Sequence, residues 1–204
     1  QYLTKKPTKD DVLAIFAGLR PLAAPQGEGK NTKEISRSHK IIVSDSDLIT
    51  IIGGKWTTFR RMAQDTIDNV IELKKLPNKP CKTEELHIHG YDATVNHNED
   101  LYFYGSDRTE ILKLENEKPE LAEKLLPQYD YTYACVVFAV RKEMALRLED
   151  VLARRIRLLL LDAHGAVTVA EKVATVMAKE LGKDESWVNQ EVADFKELAK
   201  IYQF

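Results

Sequence analysis

Apolar and polar positions follow two different rhythms along the chain, and the change of rhythm divides it. Around residue 40 the apolar residues come in short β-branched runs, Ile41-Ile42-Val43 and Leu48-Ile49-Thr50-Ile51-Ile52. The polar stretch Ser44-Asp45-Ser46-Asp47 lies between them, so the pattern predicts a β-hairpin with strands over 39–43 and 48–52. From Trp56 the spacing becomes helical. Met62, Ile67, Val70, Ile71 and Leu73 keep to one broad face, which predicts a helix over 56–76. Pro77-Asn78-Lys79-Pro80 stops it. Residues 81–98 carry no period and read as a linker.

Beyond residue 99 helical spacing dominates. Short helices are expected over 107–115 and 118–125, and a longer one over 131–144 around Ala134-Cys135-Val136-Val137-Phe138-Ala139-Val140. Glu149-Asp150 places acid at the start of a helix over 151–161, as the helix dipole favours. A helix over 167–181 ends at Gly182, and Asp184 caps a last one with Trp187, Val188, Val192, Phe195, Leu198 and Ile201 on its apolar side. The expected fold is α+β, mainly α. A short hairpin segment (1–80, with its turn and helix) is followed by the 81–98 linker and a helical bundle over 99–204.

Gly53-Gly54-Lys55-Trp56-Thr57-Thr58 sits where the strand rhythm gives way to the helical one. Two glycines let the backbone approach a ligand, and the first N–H groups of a helix favour an anion. Lys55 adds a point charge, and Thr57 and Thr58 add short donors. Taken alone, the stretch is equally an ordinary strand-to-helix turn capped by threonine. It lacks the spacing of a P-loop, and no Gly-x-Gly-x-x-Gly occurs in the chain. Upstream, Arg20 follows the apolar run Ile15-Phe16-Ala17-Gly18-Leu19, and Arg37 lies between Ser36 and Ser38. Arg20, Arg37 and Lys55 thus each lie at or near a strand end, where open sheets bind ligands, and the guanidinium fork suits phosphate or carboxylate.

Charge and composition narrow this picture without replacing it. The 44% hydrophobic and 30% charged residues describe a soluble globular chain, and the net charge of −2 argues against nucleic acid. Residues 1–60 hold ten Lys and Arg against six Asp and Glu, a basic bias that fits an anionic ligand. Cys81 and Cys135 form no redox or metal motif, which favours a reduced, cytoplasmic setting. No run of 18 apolar residues is present. His87-Ile88-His89 would share a strand face, but only the distant His97 could join them, so no metal site is expected. Arg154-Arg155-Ile156-Arg157 lies close to Glu149 and Asp150 and is expected to form ion pairs.

Phe16-Ala17-Gly18-Leu19-Arg20-Pro21-Leu22, Ser36-Arg37, and Gly53-Gly54-Lys55-Trp56-Thr57-Thr58-Phe59-Arg60 resemble, in order and spacing, the FAD-dependent glycerol-3-phosphate dehydrogenases. The run from Leu148 to Arg157, Glu180-Leu181-Gly182 and Trp187 look like that family's C-terminal domain. The resemblance implies oxidation of sn-glycerol 3-phosphate to dihydroxyacetone phosphate, with hydride passing to flavin and electrons to quinone or oxygen. It implies that Arg37 binds the substrate phosphate and that Arg20 reaches the reacting end of the substrate. It implies that Lys55 stabilises the charge of reduced flavin, with Gly53, Gly54, Thr57 and Thr58 around the cofactor. Such enzymes carry their dinucleotide fingerprint far upstream of this turn. The chain is therefore expected to be a C-terminal fragment with most of the FAD site elsewhere, and inactive by itself. A homodimer and peripheral contact with the inner face of the cell membrane are left open as partners. Two other readings stand beside this one. They are a different FAD oxidoreductase acting on an anionic small molecule, and a non-catalytic helical docking domain.

Overall fold

Short-range chemistry builds the hairpin as its β-branched runs predict. The computed structural model describes residues 4–19 and 38–204. Strands β1 (His39–Val43) and β2 (Ile49–Gly53) pair antiparallel, with His39 opposite Gly53 and Val43 opposite Ile49. Ser44 holds the turn twice: its backbone carbonyl accepts from Asp47 N–H, and its Oγ accepts from Leu48 N–H at 3.1 Å. Helix α1 (Phe59–Lys74) follows and packs on β2. It ends where Lys75 turns left-handed (φ 51°), just before Pro77.

The described residues fall into two compact units, one within 18–88 and the other combining 1–17 with 89–204. In the first, no described residue is fully buried, and Ile42, Ile52, Trp56, Phe59 and Ile67 are exposed. A two-stranded hairpin with a single helix has too few layers to enclose a core of its own.

The second unit is mainly helical and holds the core. Helices α2 (Arg108–Glu117), α3 (Tyr133–Lys142), α4 (Leu158–Leu161), α5 (Ala163–Leu181) and α6 (Glu185–Ala199) surround it. In α3 every residue from Tyr133 to Ala139 is buried, the mark of a central helix. Helix α5 packs against α3, α4 and α6. Its buried Ala166, Val169, Ala170, Val173, Ala174 and Met177 recur at helical spacing. The alanines let its neighbours approach closely. The Asp162 carboxylate caps α5 through Gly165 N–H at 2.7 Å, so the helix begins four residues before the expected 167. Gly182 (φ 65°) closes α5, and the Asp184 carboxylate caps α6 through Trp187 N–H. The fold is mainly α with a two-stranded antiparallel hairpin, as its sequence pattern indicates.

Three expectations change. The helix expected over 118–125 shrinks to one 3-10 turn at Pro119–Ala122. Beyond it the chain runs extended, with Leu125 N–H donating to Tyr131 O and Tyr133 N–H to Glu123 O. The helix expected over 151–161 is broken. Asp150–Arg155 winds as a π-helical turn, Arg157 turns left-handed at φ 62°, and α4 starts afresh. The wide turn re-aims the side chains so that Val151, Leu152, Ile156, Leu158 and Leu159 all reach the core. Arg155 meanwhile donates to the Glu143 carbonyl at 2.7 and 3.1 Å. Finally, the N-terminal segment, grouped by its sequence with the hairpin, hydrogen-bonds to the helical unit. Ala163 N–H donates to Leu13 O, and Ile15 N–H to Tyr202 O. Arg154 pairs with Glu149 and Asp150.

Among the described residues of the helical unit, one group is discordant. Glu143 Oε2 is sealed from solvent and accepts no hydrogen bond. Burial raises the Glu143 carboxyl above the usual carboxylate range, against the opposing pull of Arg155. A folded-state value above the unfolded one means that the folded chain holds the proton more tightly. Its stabilising effect is complete below the unfolded value and is lost as pH rises through the folded one. Glu143→Gln is therefore expected to flatten the loss of stability between acid and neutral pH. Urea unfolding of both chains across that range measures it, and parallel pH curves would refute the assignment.

Candidate functional site

The β2–α1 turn is where a strand must reverse into a helix within a few residues, and its glycines make that possible. Gly53 (φ 74°) and Gly54 (φ 87°) both take left-handed backbone. A Cβ on Gly54 would lie 2.6 Å from Met62 Sδ and 3.3 Å from His39 Cβ. The space that a side chain would need is thus filled by the first turns of α1. Lys55 runs extended (φ −116°, ψ 143°) and is exposed. Trp56–Thr58 form a 3-10 turn that leads into α1.

The Lys55 carbonyl accepts from Thr58 N–H at 3.0 Å and from Thr58 Oγ1 at 2.9 Å. This bond commits the Thr58 hydroxyl proton to the turn itself, whereas Thr57 is exposed. Helix α1 has no side-chain cap and no acidic residue in its own first turn, and the N–H groups that lead into it are spent locally, Thr58 N–H on Lys55 O and Phe59 N–H on Trp56 O. Arg60 and Arg61 lie there instead, Arg61 drawn along the helix and Arg60 both along it and out to Thr83 and Glu84. Arg60 donates to Gln64 and Thr83, and Arg61 pairs with Asp65 at 2.9 Å. Trp56 is 89% exposed and Phe59 is 57% exposed, with ring centroids 6.2 Å apart. An open cleft of about 710 Å³ runs between α1 and 78–81, and none of the turn residues lines it.

The structure thus brings Gly53, Gly54, Lys55, Thr57 and Thr58 into one turn. Arg20 and Arg37 lie outside the described residues. His39 reads from the sequence as a hairpin histidine beside Lys40, and its link to Asp65 is not visible there. His39 Nε2 lies 2.9 Å from Asp65 Oδ2, and Asp65 Oδ1 faces Arg61. The Arg61–Asp65 spacing of four is a visible helical pair, but its link to a strand residue 26 positions away is not.

Residues 44–188 match the family described as the C-terminal domain of alpha-glycerophosphate oxidase. The chain belongs to this family. The matched span contains the Gly53–Thr58 turn and reaches into α6. The chain is 34% identical to glycerol-3-phosphate dehydrogenase 2 of Mycobacterium tuberculosis, over 92% of its own length and 35% of the relative's. It is 36% identical to a probable mitochondrial glycerol-3-phosphate dehydrogenase of Dictyostelium discoideum, over 91% and 32% respectively. It is 32% identical to the mitochondrial glycerol-3-phosphate dehydrogenase of Rattus norvegicus, over 87% and 27%. The chain therefore spans about a third of the length of these relatives.

Proposed function

We propose that this chain is the C-terminal part of an FAD-dependent glycerol-3-phosphate dehydrogenase. The reaction is oxidation of the C2 hydroxyl of sn-glycerol 3-phosphate to dihydroxyacetone phosphate, with quinone as the electron acceptor. The observation that carries this reading is the family match over residues 44–188, which includes the Gly53–Thr58 turn. The chemistry of the turn fits an anionic partner. It offers an exposed ammonium at Lys55 and an exposed hydroxyl at Thr57 at the start of a helix whose own first turn holds no acidic residue. FAD, when bound, supplies the hydride acceptor.

The roles of the protein residues follow from their chemistry. With FAD bound, Lys55 would supply a positive charge to balance the negative charge that builds on the hydride acceptor. Arg37 and its neighbouring serines hold the substrate phosphate, and Arg20 orients the reacting end. Lys55, Thr57 and the Gly53–Gly54 backbone would be the contacts of this chain to the cofactor. No helix among the described residues is long and apolar enough to cross a membrane. Delivery of electrons to a membrane quinone by peripheral contact is part of this proposal. The absence of a buried residue among those described in the hairpin unit supports inactivity of the chain by itself.

The test uses the intact flavoenzyme, purified without oxygen. Bleaching of the flavin absorbance by sn-glycerol 3-phosphate, and not by glycerol, is expected. A flavin that stays oxidised would move another anionic substrate to the front. Arg37→Ala is expected to raise KM for glycerol 3-phosphate roughly tenfold to a hundredfold, since hydrogen bonds to charged groups contribute about 1.5–3 kcal/mol. An unchanged KM would remove Arg37 from the phosphate site.

A further inference from the structure

We infer that His39 is a positioning residue for Lys55, acting as a clip across the base of the Gly53–Thr58 turn; its bearing on the reaction rests on the role proposed for Lys55. One residue holds both sides of the turn. Through its backbone, His39 stands opposite Gly53 in the β1–β2 ladder, which fixes the entry to the turn. Through its ring, Nε2 lies 2.9 Å from Asp65 Oδ2 on α1, which fixes the exit. A Cβ built on Gly54 would also lie 3.3 Å from the His39 Cβ, so the histidine backs directly on the turn.

The Asp65 carboxylate is itself oriented. Arg61 takes Oδ1 at 2.9 Å and leaves Oδ2 for the imidazole. His39 and Asp65 side chains are only 21% and 24% exposed, so their attraction is screened less than that of a surface pair. Between the two anchors the chain has little else to define it. Lys55, Trp56, Thr57 and Thr58 are exposed, and the Thr58 bonds to Lys55 O are local. Those local bonds shape the turn, whereas the clip sets its direction relative to the hairpin. Asp65 is not a reacting group in this account, and His39 touches no substrate.

The first test uses the whole chain and needs no cofactor. Amide ¹H–¹⁵N resonances of Gly53, Gly54, Lys55 and Trp56 would be compared in wild type, His39→Ala, Asp65→Ala and the double variant. Each single variant is expected to shift these resonances. The double variant is expected to shift them little further, because the two residues form one coupled contact. His39→Gln, whose side-chain amide can still donate to Asp65, is expected to restore them toward wild type. Unmoved resonances in both single variants would overturn the inference. If His39→Ala unfolds the hairpin unit, the milder His39→Gln and Asp65→Asn variants carry the same comparison.

The second test uses the flavin-loaded enzyme. His39→Ala is expected to slow flavin reduction about tenfold with substrate affinity nearly unchanged, as expected for a misplaced charge. His39→Gln is expected to recover most of that loss. A shifted turn with an unchanged reduction rate would also overturn the inference. A wild-type flavin that glycerol 3-phosphate cannot reduce would defeat the functional reading instead, and the amide comparison would still decide the clip.

Discussion

Lys55→Met is expected to slow flavin reduction in the intact enzyme by about 10²- to 10³-fold, the scale seen when one preorganised donor is removed from a developing negative charge. In rate terms that is roughly 3–4 kcal/mol of lost transition-state stabilisation. Methionine keeps much of the length and apolar stem of lysine but removes the ammonium. The backbone at this position is ordinary extended chain (φ −116°, ψ 143°), so the substitution adds no strain there. Affinity for glycerol 3-phosphate should change much less than the rate, because the proposed phosphate contact belongs to Arg37. Lys55→Arg should recover only part of the activity, since a planar fork is a poor copy of a compact point charge. Anaerobic stopped-flow absorbance measures all three variants. A K55M rate equal to wild type would remove Lys55 from the chemistry.

Gly105→Ala is expected to destabilise the helical unit by about 3–5 kcal/mol, the range of the most damaging single substitutions. Two costs coincide there. Gly105 has φ 54° and ψ −127°, a conformation open to glycine and strained for an L-residue. A Cβ would also sit 1.9 Å from the Gly90 carbonyl oxygen. That oxygen accepts the Ser106 N–H at 3.1 Å, and His89 binds Asp107 beside it. Relief of the clash must therefore break a backbone bond. Gly182→Ala separates the two costs. Gly182 is also left-handed (φ 65°), but no atom lies within 4 Å of its Cβ position. Only the backbone cost of about 1 kcal/mol should remain there. Urea unfolding midpoints of the two variants give the comparison. Equal losses would mean that close backbone approach is not what makes Gly105 necessary.

These positions differ in how far the sequence reveals them. The Gly53-Gly54-Lys55 turn is legible because its entry and exit are local: a β-branched run before it and a helical period after it. The caps at Asp184 and Gly182 are legible for the same reason, since each acts within four or five residues. Gly105 is not legible, because its need for glycine comes from the backbone of Gly90. The Asp65 contact of His39 is hidden likewise. It spans 26 positions and joins a strand to a helix, so it leaves no period in the sequence.

The chain's own pattern thus determined the hairpin, the order and type of the main helices, and the exposed cation at the strand-to-helix turn. Hydrophobic period, turn residues and caps are short-range signals, and they act before any tertiary contact exists. Only the tertiary structure decided the rest. It broke the expected 151–161 helix into a π turn and α4, because the core requires Val151, Leu152, Ile156, Leu158 and Leu159 on the inside together. It joined residues 13 and 15 to the helical unit through backbone bonds to Ala163 and Tyr202. It also tied His39 to Asp65 beneath the turn. Each of these rests on groups far apart in sequence, whose pairing depends on where the packed elements bring them rather than on what stands next to them in the chain.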